Sequence, residues 1–147
     1  MSKLLRISEA ASLGLHAAVR LAEHPRRPVS ARDLARRLDA SEAHLAKVLQ
    51  RLVRAGLVSS TRGPRGGFAL ARAPGEVSLL DVYEAVEGPV EPTACPFGRP
   101  VCRRGECIFG EFLSEFDARF RDYLATTTLD ALACPEDATE EASHVRS

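Results

Sequence analysis

Three cysteines lie close together in the second half of the sequence, at Cys95, Cys102 and Cys107, with the spacing C-x6-C-x4-C. The run that holds them is rich in proline, so three thiols cannot each serve there as small core residues. Soft thiolates are preferred ligands of zinc and of iron–sulfur clusters. Structural zinc sites usually show tighter cysteine pairs and four neighbouring ligands. We therefore predict an iron–sulfur cluster (2Fe–2S or 4Fe–4S), with zinc and metal-free redox thiols as alternatives.

A fourth ligand is needed because three cysteines leave one coordination position open. His16 is the candidate, and it shares a stripe of the predicted first helix with Glu9 and Ser12. A homodimer paired through a long C-terminal helix could bring this helix of one protomer to the cysteine loop of its partner. A packed or surface histidine is the alternative interpretation. Cys134 lies outside the group, and we interpret it as a lone thiol.

A basic amphipathic helix is predicted for residues 41–54, where Leu45, Val48, Leu49 and Leu52 repeat at helical spacing. A short helix over residues 31–38 precedes it, and the tight turn between the two is typical of a helix-turn-helix. Strands at 57–61 and 68–71 follow, joined by a turn rich in glycine and arginine. The pattern predicts a mainly α protein with a small β-wing, a winged helix-turn-helix.

Cationic and polar side chains on this helix and on the wing make double-stranded DNA the predicted partner. The first turns of a recognition helix reach base edges, and arginines further along contact phosphates. Arginines at the tip of a wing can enter a minor groove or hold its phosphates. The predicted DNA-binding residues are Ala43, His44, Lys47, Gln50, Arg51, Arg62, Gly63 and Arg65.

The charge is divided between the halves, although the 147 residues carry a net charge of zero. Residues 1–75 hold 14 Lys and Arg against 5 Asp and Glu, whereas residues 76–147 hold 6 against 15. A basic half favours a nucleic-acid surface. A solvated basic face would show the same balance.

The second half is predicted to contain a short helix, a loop and a long helix. Ser78 caps the helix over residues 79–87, and Gly88 ends it. The irregular loop over 89–107 holds the three cysteines, and loops of this length are usually functional. A helix from about 108 to 125 carries an aromatic side too large to leave in water, so we predict a homodimer. An intramolecular core helix is the alternative.

The domain organisation follows from these elements. Residues 1–75 form the predicted DNA-binding domain, 76–133 the cysteine-loop sensor and dimerisation region, and 134–147 a disordered acidic tail. No apolar run is long enough for a membrane span, and no secretory signal is present, so we expect a cytoplasmic protein. No nucleophile–base set indicates an enzyme. A protein–protein adaptor using zinc or redox thiols is a further alternative.

The chain resembles the Rrf2 family of winged-helix regulators, of the IscR and NsrR type, from residue 5 to about 132. Residues 46–52, 55–58, 62–70 and 79–88 carry the likeness, together with the position of the cysteine loop. The resemblance implies a dimeric transcription factor, often a repressor, that senses redox, nitric oxide or iron status. It also implies that Cys95, Cys102 and Cys107 hold an iron–sulfur cluster.

Several positions depart from the family pattern. IscR-like members take a histidine ligand at the place of Gly110. NsrR-like members take an acid from the partner's first helix at the place of Ser12, and some redox-sensing relatives take a histidine where His16 stands. The Glu-Gln pair with which IscR-like proteins read bases is Ala46-Lys47 here. The resemblance therefore implies a different operator from that of IscR.

Overall fold

The computed structural model describes residues 7–91, 95, 99, 101–103 and 106–134. The described chain is mainly helical and carries one two-stranded antiparallel sheet, which confirms the predicted fold class. The predicted acidic tail, residues 134–147, lies outside these residues except for Cys134. The elements are α1 (Glu9–Glu23), α2 (Ala31–Arg37), α3 (Glu42–Arg54), β1 (Val58–Thr61), β2 (Gly67–Leu70), a 3-10 turn (Pro74–Glu76), α4 (Leu79–Glu87), α5 (Phe112–Thr126) and α6 (Leu129–Leu132).

Local capping sets the start of the predicted helix-turn-helix. Ser30 Oγ accepts a hydrogen bond from the Asp33 amide at the start of α2, and Ser41 Oγ accepts one from the His44 amide at the start of α3. Between them Asp39 adopts a left-handed φ of 50°, which turns the chain sharply. The four apolar residues predicted to face the core from α3 are all buried.

The wing is anchored to the chain segment that precedes α2. Val58 pairs with Leu70 and Thr61 with Gly67, so β2 begins one residue earlier than predicted. Phe68 exchanges both backbone hydrogen bonds with Val29. Gly67 has a φ of 145°, and a Cβ there would lie 2.5 Å from the Val29 carbonyl oxygen. Only glycine fits where the wing crosses this segment.

The start of α4 and the end of the described chain are held together. Ser78 and Asp81 form a reciprocal capping box, and Gly88 ends the helix, as predicted. The Leu129 amide donates to the Val77 carbonyl, and both residues are fully buried in the core. This core extends from α1 through α3 and the wing to α6. The predicted division at residue 75 stays a prediction.

The long helix α5 begins at Phe112 and not at about residue 108 as predicted. Gly110 has a left-handed φ of 55° and its amide donates to the Cys107 carbonyl, so residues 107–110 form a turn. Leu124 is buried and Phe120 packs edge-on against Tyr83, so part of the predicted aromatic side belongs to the core. Among the described residues, neither α5 nor another helix has the length and apolar character of a membrane span.

Three helices meet at Gly14, a buried residue in the middle of α1. A Cβ at this position would lie 2.8 Å from Val86 Cγ2 of α4 and 3.4 Å from Val48 Cγ1 of α3. Both neighbours are β-branched, and their side chains cannot swing away easily. The absence of a side chain at Gly14 therefore allows α1, α3 and α4 to pack together.

Replacing Gly14 tests this contact. Glycine is the poorer helix former, so Gly14→Val in an open helix would be neutral or stabilising. In this crowded place we expect the variant to lower the free energy of unfolding by about 2 kcal/mol, because the added atoms overpack the core. Urea denaturation at matched protein concentration measures this change in the free energy of unfolding. Ser12→Val, in the same helix, is the control, and equal stability of the two variants would contradict the crossing.

Candidate nucleic-acid interface and cysteine loop

The outward face of α3 carries the side chains predicted to read bases. Ala43, Lys47 and Gln50 are all exposed, opposite the buried face of the helix. Within the described residues the Lys47 ammonium has no hydrogen bond or ion pair. A side chain without an intramolecular partner is available to a ligand. Arg54, in the last turn, is exposed in the same way.

His44 lies at the edge of this face and is partly engaged within the molecule. Its side chain is half-buried, and Nδ1 lies 3.8 Å from Glu9 Oε1 at the start of α1. This contact becomes an ion pair only when the imidazole is protonated. Glu9 is thus an intramolecular partner that competes with a DNA base for the His44 side chain.

Arg51 points towards α4, although it was predicted to contact phosphates. Its Nη1 donates to the carbonyl oxygen of Val86 over 2.9 Å. Arg51 is exposed like Arg54, and in a helix with 3.6 residues per turn the two lie roughly 60° apart around the axis. Arg51 therefore stands on the flank between the outward face and the core, where it meets the last turn of α4.

The tip of the wing presents the other predicted DNA-binding residues. Arg62, Gly63 and Arg65 are exposed. The Gly66 amide donates to the Gly63 carbonyl and closes the turn. Neither arginine has a hydrogen bond or ion pair within the described residues. The closed turn, which leads into the strand bonded to Val29, thus presents two arginines that are unpaired within the described part of the chain.

The three loop cysteines are half-buried, and Cys134 is exposed. Cys95 Sγ donates to the Arg99 carbonyl over 3.0 Å. Among the described residues, no three cysteine, histidine or acidic side chains converge into a metal-binding group. Nine residues of the loop, including Arg104, lie outside those described. The donor set of three accessible thiols fits an iron–sulfur cluster by its chemistry.

His16 is exposed on α1, at a distance in sequence from the loop. Its Nδ1 lies 2.7 Å from the Ser12 carbonyl oxygen. A carbonyl can only accept, so Nδ1 is the donor, and in the neutral imidazole Nε2 carries the lone pair. Metal-binding histidines are commonly oriented by such a hydrogen bond from the other ring nitrogen. The imidazole of His16 is therefore prepared to act as a donor through Nε2.

Aromatic surface remains exposed on and before α5. Phe112 is 63% exposed and Tyr123 56%, and Phe109 and Phe116 also face outward. An open groove of about 460 Å³ lies beside His16, lined by apolar side chains of α1, α4 and α6 with Arg20 and Glu23 at its edge. The Oε2 atom of Glu23 is buried there without a hydrogen-bond donor among the described residues. Both surfaces can receive a partner.

The end of α4 gathers polar contacts that the sequence analysis missed. Arg121 of α5 donates to the Val90 carbonyl over 2.9 Å and lies 3.8 Å from Glu84. Glu84 also accepts a hydrogen bond from the Val90 amide. Burial, with help from the Glu87 carboxylate, raises the pKa of the neighbouring Tyr83 hydroxyl. The main-chain acceptors in these contacts leave no signal in a sequence.

Comparisons with known proteins agree with this arrangement. The Rrf2 family, described as "Iron-dependent Transcriptional regulator", matches residues 7–135. The transcriptional regulator BadM of Rhodopseudomonas palustris is 47% identical over 83 residues, 56% of this chain and 53% of BadM. IscR of Pectobacterium carotovorum is 35% identical over 106 residues, 71% of this chain and 64% of IscR. These matches thus span about half to two thirds of the two curated relatives.

A solved structure extends the likeness to nearly the whole fold. CymR of Bacillus subtilis, the global cysteine regulator, superposes with a TM-score of 0.74 at 31% identity. The match covers 88% of this chain and 96% of CymR. These relatives are transcriptional regulators and not enzymes, as predicted for this chain. Because the family match takes in both the winged helix and the cysteine loop, the chain belongs to the Rrf2 family of transcriptional regulators.

Proposed function

We propose that the protein binds double-stranded DNA in a sequence-specific manner and acts as a transcriptional repressor. The observation that carries this proposal is that Arg62 and Arg65 at the wing tip are exposed and have no hydrogen bond or ion pair among the described residues, while α3 exposes a polar face. Ala43, Lys47 and Gln50, with His44 at the edge, face the bases of a major groove. Arg62 and Arg65, with Gly63 in the turn between them, hold phosphates or enter the minor groove.

The second part of the proposal is that an iron–sulfur cluster on the cysteine loop controls DNA binding. Cys95, Cys102 and Cys107 would hold it, and His16 of a partner protomer would supply the fourth ligand through its free Nε2. When bound, such a cluster supplies a redox-active centre that oxidants or nitric oxide can alter. A movement of the cysteine loop then alters the separation of the two recognition helices in the dimer.

A cluster-free regulator is the second candidate. Among the described residues the cysteines form no group of three or more metal ligands, and CymR of Bacillus subtilis is named a cysteine regulator. In this alternative the loop thiols, alone or with zinc, carry the signal through their own oxidation state. DNA binding by α3 and the wing is common to both candidates.

We further propose that the working form is a cytoplasmic homodimer. The exposed aromatic residues of α5 form an apolar surface of the kind that marks association sites. A second copy would cover this surface and the groove beside His16. Two recognition helices would then read the two halves of a symmetric operator.

Arg65→Ala tests the wing contact with phosphate. We expect weaker binding to operator and to unrelated DNA alike, and a slope of log affinity against log salt that is shallower by about one, since one counterion fewer is released. Salt titrations by fluorescence anisotropy measure this slope. Arg72→Ala removes an exposed arginine just beyond β2 and serves as the control. An unchanged slope for Arg65→Ala excludes the phosphate contact.

Cys102→Ser tests the cluster. After anaerobic reconstitution with ferrous iron and sulfide, we expect visible absorbance and bound iron in the wild-type protein and a loss of both in this variant, because one ligand is removed. Cys134→Ser should keep both and serves as the control. A wild-type protein that stays colourless and binds no iron rejects the cluster and favours the cluster-free candidate.

Phe112→Asp tests the dimer. A charge in the centre of the aromatic surface should lower the association constant at least tenfold, since an unpaired carboxylate would be buried in the interface. Light scattering over a concentration series measures the molar mass. Ala118→Asp places the same charge on another exposed face of α5 and should leave association unchanged. Equal effects of the two variants contradict the proposed surface.

A further inference from the structure

The last turn of α4 is held from two sides by arginines that come from different elements. Arg51 of α3 donates to the Val86 carbonyl over 2.9 Å. Arg121 of α5 donates to the Val90 carbonyl over the same distance. Between these two carbonyls the helix ends at Gly88, and the cysteine loop begins directly afterwards. The two arginines therefore contact the chain where the helix passes into the loop.

The contact of Arg51 satisfies a group that the helix itself leaves open. The final carbonyls of an α-helix have no intrahelical partner, and cations near this end also interact favourably with the helix dipole. The Gly88 amide binds the Glu84 carbonyl, whereas the Val86 carbonyl receives the guanidinium of Arg51. Arg51 thus acts as a C-terminal cap for α4, supplied by the recognition helix.

Val90, on the loop side of the junction, is also held by hydrogen bonds. The amide of Val90 donates to Glu84 Oε1 over 3.2 Å, and its carbonyl accepts from Arg121. Arg121 and Glu84 also lie 3.8 Å apart as an ion pair. Both polar main-chain groups of Val90, five residues before Cys95, are therefore tied to α4 and α5. A displacement of the loop that moves Val90 has to act on these contacts first.

We infer that Arg51 is a positioning residue, which couples the start of the cysteine loop to the angle of the recognition helix through the Val86 carbonyl. The inference rests on the proposed function and names how the site is regulated. The last turn of α4 is the element with two arrangements, held or released. In the held form the Arg51 hydrogen bond ties α3 to α4, and in the released form the two helices are joined by apolar packing, which includes Val48 and Val86 at Gly14.

The sequence predicts that Arg51 contacts a phosphate, whereas the structure places its guanidinium on the Val86 carbonyl. Substitutions can distinguish these two roles. Arg51→Gln removes the charge and the reach of the guanidinium while keeping a side chain suited to a helix. Arg54→Gln makes the same change on the outward face of α3 and is the matched control. Arg121→Gln, on a residue whose side chain is 52% exposed, releases the loop side of the same junction.

The first measurement needs neither DNA nor a cluster. Hydrogen exchange followed by mass spectrometry reports on the Gly88 and Val90 amides of the metal-free protein. We expect exchange in this segment to be at least threefold faster in Arg51→Gln and in Arg121→Gln than in wild type, and unchanged in Arg54→Gln. Wild-type protection in Arg51→Gln at unchanged melting temperature overturns the inference, whatever the fate of the proposed function.

The second measurement compares DNA affinity in two states of the loop, reconstituted with iron and sulfide and metal-free. Allosteric coupling typically changes affinity 5- to 150-fold. If the wild-type ratio lies in this range, Arg51→Gln and Arg121→Gln should bring it to within about twofold, while Arg54→Gln preserves it. Arg51→Gln should also keep the wild-type salt slope, because its guanidinium is held by the Val86 carbonyl and not by a phosphate.

The outcomes separate the inference from the function on which it rests. A salt slope reduced by about one in Arg51→Gln, with the ratio preserved, assigns Arg51 to a phosphate and overturns the coupling role. A wild-type protein that binds no DNA in either state refutes the proposed function, and the exchange measurement alone then decides whether Arg51 holds the end of α4.

Discussion

The close approach of α1, α3 and α4 at Gly14 is the contact on which the rest of the structure depends. Val48 and Val86 meet at this point from the recognition helix and from α4, and neither can move far because protein interiors are densely packed. The outward direction of Lys47 and Gln50 is a consequence of this packing, since the opposite side of α3 has to face α1. The surface available to DNA is thus determined by a residue without a side chain.

Val86 joins this apolar contact to a polar one. Its side chain packs towards Gly14, and its carbonyl receives the Arg51 guanidinium. A displacement of Val86 therefore disturbs two of the contacts that orient α3. Because well-packed interfaces tend to switch between discrete arrangements and do not deform continuously, a small change at the end of α4 can produce a defined change in α3.

Elements with local signals were predictable from the sequence, and contacts with distant main-chain groups were not. The start of α4 is marked by Ser78 and Asp81 and its end by Gly88, all close together in sequence. The observed helix has the predicted bounds. The start of α5 was predicted too early because the left-handed turn at Gly110 interrupts a continuous aromatic pattern. The charge of Arg51 is evident in the sequence. Its acceptor is a main-chain carbonyl 35 residues away, and the side chain of that residue gives no indication of the contact.

The cysteine loop follows the same division between chemistry and geometry. Residue types indicate which ligands Cys95, Cys102 and Cys107 can offer, whereas their convergence depends on the path of the loop. BadM, IscR and CymR resemble this chain in sequence or fold. CymR is named a cysteine regulator, whereas the family is described as iron-dependent. The fold therefore does not determine the signal. What distinguishes one member from another has to lie in particular side chains, and on α1 the hydrogen bond from His16 Nδ1 to the Ser12 carbonyl fixes the orientation of one imidazole.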